Sequence, residues 1–128
     1  MILLLDTSTP VCRLVFIDGD WRVEKEWEAG RTLAKGLLGF LVKELESVDK
    51  NWSDLTGIGV FQGPGSFTGL RIGMTVVNTV ADALAIPIVA TKGEDWQGSA
   101  LSRLDEGEND RLALPFYGAE ANITKPRK

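Results

Sequence analysis

The sequence predicts an α/β domain built on a mixed five-stranded sheet, with the element order β-β-β-α-β-α-β. Three observations lead to this fold class. Three strand-like runs follow one another at the N-terminus, two strongly apolar helical segments come after them, and one further strand follows each helix. Because strands connected through helical crossovers run parallel, the antiparallel start and the parallel end belong to one mixed sheet.

The first three strands are typical of an antiparallel meander. They are "ILLLDTS", "RLVFID" and "WRVEKEWEA", and Gly19 and Asp20 form the turn between the second and the third. "LTGIGVF" is the fourth strand and "IPIVA" the fifth. The helices are predicted at residues 31–48 and 69–85.

Both helices are more apolar than a helix lying on a sheet requires. Apolar residues cover an arc of about 200° on the first helix and about 220° on the second, whereas a stripe of about 100° is enough. Two explanations stay open: the helices pack on each other as well as on the sheet, or they bind a protein partner. Glycines inside helices are costly, which favours close approach of another backbone; they are Gly36, Gly39, Gly69 and Gly73.

Composition restricts the function. The 128 residues, 44% of them hydrophobic, fit one domain. The net charge of -4 argues against direct binding of nucleic acid, which depends on lysine and arginine. We expect a cytoplasmic protein without a membrane segment, because Cys12 is the only cysteine and no basic leader or apolar run of about 20 residues is present. The absence of histidine excludes Ser-His and Cys-His pairs and histidine-ligated metals, and we predict no metal site.

The stretch "GVFQGPGSFTGLRIG" at residues 59–73 is the most distinctive motif. It lacks the lysine of a P-loop, the third glycine of a dinucleotide fingerprint and the spacing of a nucleophile elbow. We interpret it as a strand-to-helix turn in which Ser66 or Thr68 caps the second helix. The residues of this structural turn are Gly63, Pro64, Gly65, Ser66, Thr68 and Gly69.

Asp6, Thr7 and Ser8 form a second polar cluster at the end of the first strand. These side chains could contact a phosphate or a metal-bound water. An ordinary capped turn is the commoner structure at such a strand end. Both interpretations stay open.

"ILLLDTST" at the N-terminus and "GPGSFTGLRIG" further along together closely resemble the TsaB (YeaZ) family. Members of this family are non-catalytic dimerisation subunits of the bacterial machinery that makes threonylcarbamoyladenosine in tRNA. The resemblance covers residues 1–91. The tail "PFYGAEANITKP" is similar to the C-terminal end of the family, so we expect a complete short member.

The resemblance implies an RNase H-like, actin-like lobe and a partner of similar fold, the catalytic subunit TsaD, which modifies the adenosine next to the anticodon. It also implies that ATP and metal belong to partner subunits, that tRNA is contacted only indirectly, that a TsaE-type ATPase joins the assembly, and that the chain pairs with itself when TsaD is absent. The two helices would form the interface. Its candidate residues are Leu33, Leu37, Leu38, Leu41, Leu70, Arg71, Met74, Thr75, Val77, Asn78 and Ala81, with Asp82 at the rim.

The chain departs from the family in one large feature. Members usually carry a second lobe after the fifth strand, where this chain has only a polar stretch. We therefore divide it into an N-terminal lobe at 1–91, a polar surface loop with at most one helical turn at 92–111, and a C-terminal tail at 112–128. Without one wall of the nucleotide cleft, Asp6, Thr7 and Ser8 are vestigial phosphate-binding residues. Arg31 stands where the family often has histidine.

Two other functions stay open on the sequence alone. An actin-like phosphotransferase or ATPase would use Asp6 as the metal-facing carboxylate and Thr7 and Ser8 as phosphate contacts. A homodimeric scaffold would have no tRNA role. Recruitment of TsaE without the second lobe is also open.

Overall fold

A computed structural model describes residues 1–116, and the predictions for the tail beyond them lie outside the described residues. The predicted mixed five-stranded sheet is confirmed, with the spatial order β3-β2-β1-β4-β5. β1 pairs with β2 and β2 with β3 in antiparallel fashion, whereas β1 with β4 and β4 with β5 are parallel. The strands are β1 (Ile2–Asp6), β2 (Val11–Asp18), β3 (Trp21–Glu28), β4 (Gly57–Phe61) and β5 (Ile88–Thr91).

Both predicted helices are present, with small differences at their ends. α1 spans Leu33–Ser47 after a 3-10 turn at Gly30–Thr32, and α2 spans Phe67–Leu84. α2 begins two residues before the predicted start, and its C-cap is Ala85, which has a left-handed backbone with φ 56°. A further 3-10 turn at Trp52–Asp54 was not predicted.

Helices cover both faces of the sheet. α1 and α2 pack on the face that carries Leu3 and Leu5 of β1, and a third helix, α3 (Trp96–Asp105), packs on the face that carries Leu4. Since successive strand residues point to opposite faces, the apolar run at the start of the chain serves both layers at once. The two layers of helices bury β1 completely between Leu3 and Leu5.

The prediction of a surface loop over residues 92–111 was wrong for its central part, because Trp96–Asp105 forms a ten-residue helix, α3. Its apolar contacts come from Trp96, Ala100 and Leu104, which are four residues apart and lie on one side of the helix. The approach is close, since a Cβ atom built at Gly59 of β4 would lie 2.7 Å from that of Ala100. This narrow stripe among polar residues was not recognised as helical periodicity.

The outer edge of β5 is closed by the segment that follows α3. The N–H groups of Ile88 and Ala90 donate to side-chain oxygens of Asn109 (3.1 Å) and Asp110 (2.9 Å). The carbonyl of Ile88 accepts from the N–H of Asp110 (2.8 Å), and that of Ala90 accepts from the guanidinium of Arg103 (3.1 Å). Arg103 also pairs with Asp110. Four edge-facing backbone groups therefore have partners within the chain.

Within residues 1–116, none of the helices combines the length and the apolar character needed to cross a membrane.

Candidate interaction surface

The end of β1 lies directly against the first turn of α2. The hydroxyl of Thr7 donates a hydrogen bond of 2.7 Å to the carbonyl of Gly69, and the N–H of Ser66 donates to the carbonyl of Ser8 (2.9 Å). The carboxylate of Asp6 accepts from the N–H (2.8 Å) and the hydroxyl (2.6 Å) of Ser8. These side chains thus form a capped turn whose bonds stay within the chain. Their role as phosphate ligands stays a prediction.

Cys12 lies beside this turn and is fully buried. Burial, together with the smaller effect of the negative charge of Asp6, raises the pKa of its thiol from 9.0 to about 12. At neutral pH the thiol is therefore protonated and has little nucleophilic character.

The glycine-rich motif forms the connection from β4 to α2. The peptide between Gly63 and Pro64 is cis, and Gly63 has φ 114°, a value that favours glycine. Ser66 is the N-cap of α2, since its Oγ accepts from the N–H of Gly69 at 3.1 Å. Thr68 lies inside the first turn and makes no cap. Of the two predicted capping residues, Ser66 has this role.

Close contacts within the chain explain three of the four glycines inside the helices. A Cβ atom at Gly36 would lie 2.7 Å from the indole of Trp27, and one at Gly69 or Gly73 would overlap Thr7. Gly39 faces open space. Three of the four glycines therefore give no support to the close approach of a partner backbone.

The candidate interface residues divide into two groups by burial. Leu38, Arg71 and Thr75 are exposed and Asn78 is half-buried. The other seven lie in the core beneath α1 and α2, because the helices use their widest apolar stripe to cover the chain's own sheet. A partner that approaches this side meets the first group. The buried seven are Leu33, Leu37, Leu41, Leu70, Met74, Val77 and Ala81.

An open groove runs between α1 and α2 on their outer side. Two exposed apolar side chains belong to this side, Leu38 at 52% and Phe67 at 54% exposure. The guanidinium of Arg71 lies 5.2 Å from the centroid of the Phe67 ring. We call this open groove between α1 and α2 the helix groove. It is lined by Ala34, Phe67, Thr68, Arg71, Ile72, Thr75 and Val76.

A second groove adjoins the first, since both include Arg71 and Thr75. It lies between α2 and the segment at residues 112–115. We call it the tail groove, lined by Arg71, Met74, Thr75, Asn78, Leu112, Ala113, Leu114 and Pro115. Five apolar groove residues were not among the predicted interface residues: Phe67, Ile72, Val76, Leu112 and Leu114.

Comparison with known proteins agrees with the observed fold. A family model described as TsaD, tRNA N6-adenosine threonylcarbamoyltransferase, matches residues 27–94, more than half of the chain. The tRNA threonylcarbamoyladenosine biosynthesis protein TsaB of Haemophilus influenzae is 26% identical over 113 residues, which are 88% of this chain and 48% of that protein. The TsaB protein of Bacillus subtilis is 50% identical over 46 residues, which are 36% of this chain and 20% of that protein.

Solved structures give the same result. YeaZ from Pseudomonas aeruginosa superposes with a TM-score of 0.66 at 32% identity, over 71% of this chain and 43% of that one. An uncharacterized protein with similarity to peptidase YEAZ, from the same organism, gives 0.67 at 32% identity, over 71% and 42%. The chain belongs to the TsaB (YeaZ) family.

Membership in the TsaB family confirms the predicted RNase H-like fold. The chain spans about half the length of the Haemophilus TsaB protein. The stretch that matches the TsaD family model contains all of α1 and α2, and therefore both helices of the helix groove.

Proposed function

We propose that this TsaB-family chain is a non-catalytic subunit that binds and stabilises a TsaD-type subunit for threonylcarbamoyl modification of the adenosine next to the anticodon of tRNA. One observation carries the proposal: both helices of the exposed apolar groove lie within the part of the chain that matches the TsaD family model. A TsaD-type partner therefore has a similar helix pair. Two similar surfaces can pack in a nearly two-fold arrangement, as in isologous interfaces.

The polar cluster at the end of β1 supports a binding role over the ATPase alternative. Both Asp6 and Thr7 already have hydrogen-bond partners within the chain, Ser8 and Gly69. A metal or a phosphate would have to compete with these bonds. ATP and metal therefore belong to the partner subunits in this proposal.

The net charge and the exposed groove bear on two further contacts of the proposed assembly, with tRNA and with a second copy of the chain. With a net charge of -4, the chain reaches tRNA through its partner and not by its own surface. The same groove allows the chain to pair with itself when the TsaD-type subunit is absent. A TsaE-type ATPase is a further proposed partner, and we place the assembly in the cytoplasm.

Calorimetric titration of the chain with the TsaD-type subunit of the same organism tests the proposal. We expect a complex at micromolar concentration, and we expect Leu38→Asp to weaken it at least about tenfold, because it places a charge on the exposed apolar side of α1. Lys43→Asp is the matched control. It adds the same residue to the same helix, but about 140° around it. Failure to form a complex at micromolar concentration, or equal loss in both variants, would overturn the proposal.

A further inference from the structure

The segment at residues 112–116 is fastened to the rest of the chain at several points. Asn78 bonds Ala113 in both directions: its amide Nδ2 donates to the carbonyl (3.0 Å), and its Oδ1 accepts from the N–H (2.8 Å). Gln62 bonds the carbonyl of Leu114 (3.1 Å) and the N–H of Phe116 (2.7 Å). The segment is therefore positioned along α2 by defined bonds.

Asn78 has the chemistry that this position requires. A carboxamide offers one acceptor and two donors on one planar group, so it can pair with both backbone groups of a single residue, as a neighbouring strand would. A carboxylate could serve only the N–H of Ala113 and would repel its carbonyl oxygen. Asn78 was predicted to lie at the interface, where its amide would face a partner. In the structure, both of its polar atoms are used within the chain.

The fastened segment presents two large apolar side chains to solvent. Ala113 is buried at 2% exposure, whereas Leu112 and Leu114 on either side of it are 57% and 59% exposed. While Ala113 is held against α2, both leucines stay on the outer side, beside Arg71 and Thr75 of the tail groove.

We propose that Asn78 is a positioning residue that holds Leu112 and Leu114 in place as part of the surface that binds the TsaD-type subunit. The inference rests on the proposed function. The occupant of the tail groove would be the same helix pair that enters the helix groove, because the two grooves adjoin along Arg71 and Thr75. The partner surface then has three elements: α1, α2 and the segment at residues 112–116.

A double-mutant cycle on binding tests this role. Asn78→Ala releases the segment, and we expect the Kd for the TsaD-type subunit to rise about tenfold. The pair L112A/L114A should raise it by a similar factor. Combining all three substitutions should add little to either effect, because leucines on a released segment no longer reach the partner. Trp21→Ala, an exposed apolar truncation on β3 outside both grooves, should leave the Kd unchanged within about twofold.

A second measurement separates positioning from binding. The amide of Ala113 should exchange with solvent at least about tenfold faster in Asn78→Ala than in the wild type. Asn78→Asp keeps the acceptor for this amide and loses the donor, so it should give an intermediate exchange rate and an intermediate Kd. Ser66→Ala, which removes the α2 cap without touching the segment, should change neither quantity while the chain stays folded.

The outcomes that overturn the inference are distinct from those that overturn the proposed function. If the wild type binds the TsaD-type subunit and Asn78→Ala binds equally well, or if the losses in the cycle multiply, only the inference fails. Unchanged exchange at Ala113 in Asn78→Ala also overturns it. If the wild type forms no complex, the proposed function fails, and the partner surface described for Leu112 and Leu114 fails with it.

Discussion

A side chain at Gly69 would overlap the carbonyl oxygen of Thr7. The end of β1 and the first turn of α2 approach each other so closely here that there is no room for a Cβ atom at this position of α2. The hydroxyl of Thr7 reinforces the contact from the other side by donating to the carbonyl of Gly69. The position of α2 on the sheet therefore depends on a glycine.

Two glycine substitutions should change stability in opposite directions. Gly69→Ala should lower the free energy of unfolding by about 1–3 kcal/mol, because backbone atoms must shift to admit the methyl group. Gly39→Ala should raise it by about 0.5–1 kcal/mol, since the new methyl group meets open space and alanine favours the helix. Urea unfolding of both variants beside the wild type measures the difference. Equal effects at the two sites would contradict the close approach at Gly69.

The N-cap of α2 can be assigned to one hydroxyl by a matched pair of substitutions. Ser66→Ala should cost about 1 kcal/mol, because the N–H of Gly69 loses its acceptor. Thr68→Ala should stay within about 0.5 kcal/mol, since Thr68 lies in the first turn and is exposed. Thermal unfolding of the two variants measures both losses of stability. A larger loss for Thr68→Ala would show that Ser66 is not the residue that caps α2.

Cys12 should make stability fall at high pH. Because the pKa of its thiol is raised from 9.0 to about 12 in the folded chain, the unfolded chain loses this proton first. The stabilisation that the protonated thiol gives the folded chain is complete below about pH 9. It is lost as pH rises towards 12, at about 1.4 kcal/mol per pH unit. Between pH 8 and pH 10.5, the wild type should lose about 2 kcal/mol more than Cys12→Ala. Urea unfolding at both values checks this, and parallel losses would refute it.

The closed edge of β5 should prevent association of chains edge to edge. Asp110→Ala removes the acceptor of the Ala90 N–H and a partner of Arg103, so we expect a loss of about 1–2 kcal/mol in the free energy of unfolding and assemblies larger than those of the wild type, since exposed edges pair with other strands. Asp105→Ala, at the exposed end of α3, is the control and should change neither quantity. Unfolding and light scattering measure the two effects. An Asp110→Ala variant with the stability and the assembly size of the wild type would argue against this role.

The sheet and the first two helices were predictable because their signals are local. The alternation and length of the strands, the apolar periodicity of the helices and the turn residues each specify structure within a few neighbours. α3 was not predicted, because its signal is not local. Its apolar stripe of Trp96, Ala100 and Leu104 is narrow, and these residues are buried only by contact with the second face of the sheet, which no local pattern shows.

The interaction surface was predicted less well, because an apolar arc does not say which part of it covers the chain's own sheet. Leu37 and Val77 are fully buried, whereas Leu38 is exposed, yet all three are aliphatic residues of strongly apolar helices. Asn78 illustrates a second limit. Its partner, Ala113, is 35 residues away along the chain, and no local pattern connects the two.

The indole of Trp27 lies between β3 and α1, close to Gly36, with its centroid 5.2 Å from that of Phe40. A glycine on the helix side lets the outer edge of the indole lie almost against the backbone of α1, because a Cβ atom there would be 2.7 Å from the ring. An aromatic side chain that lines no part of the helix groove thus helps to position one of its two helices. We expect substitutions in the β2–β3 hairpin that alter this contact to change the groove without altering any residue that lines it.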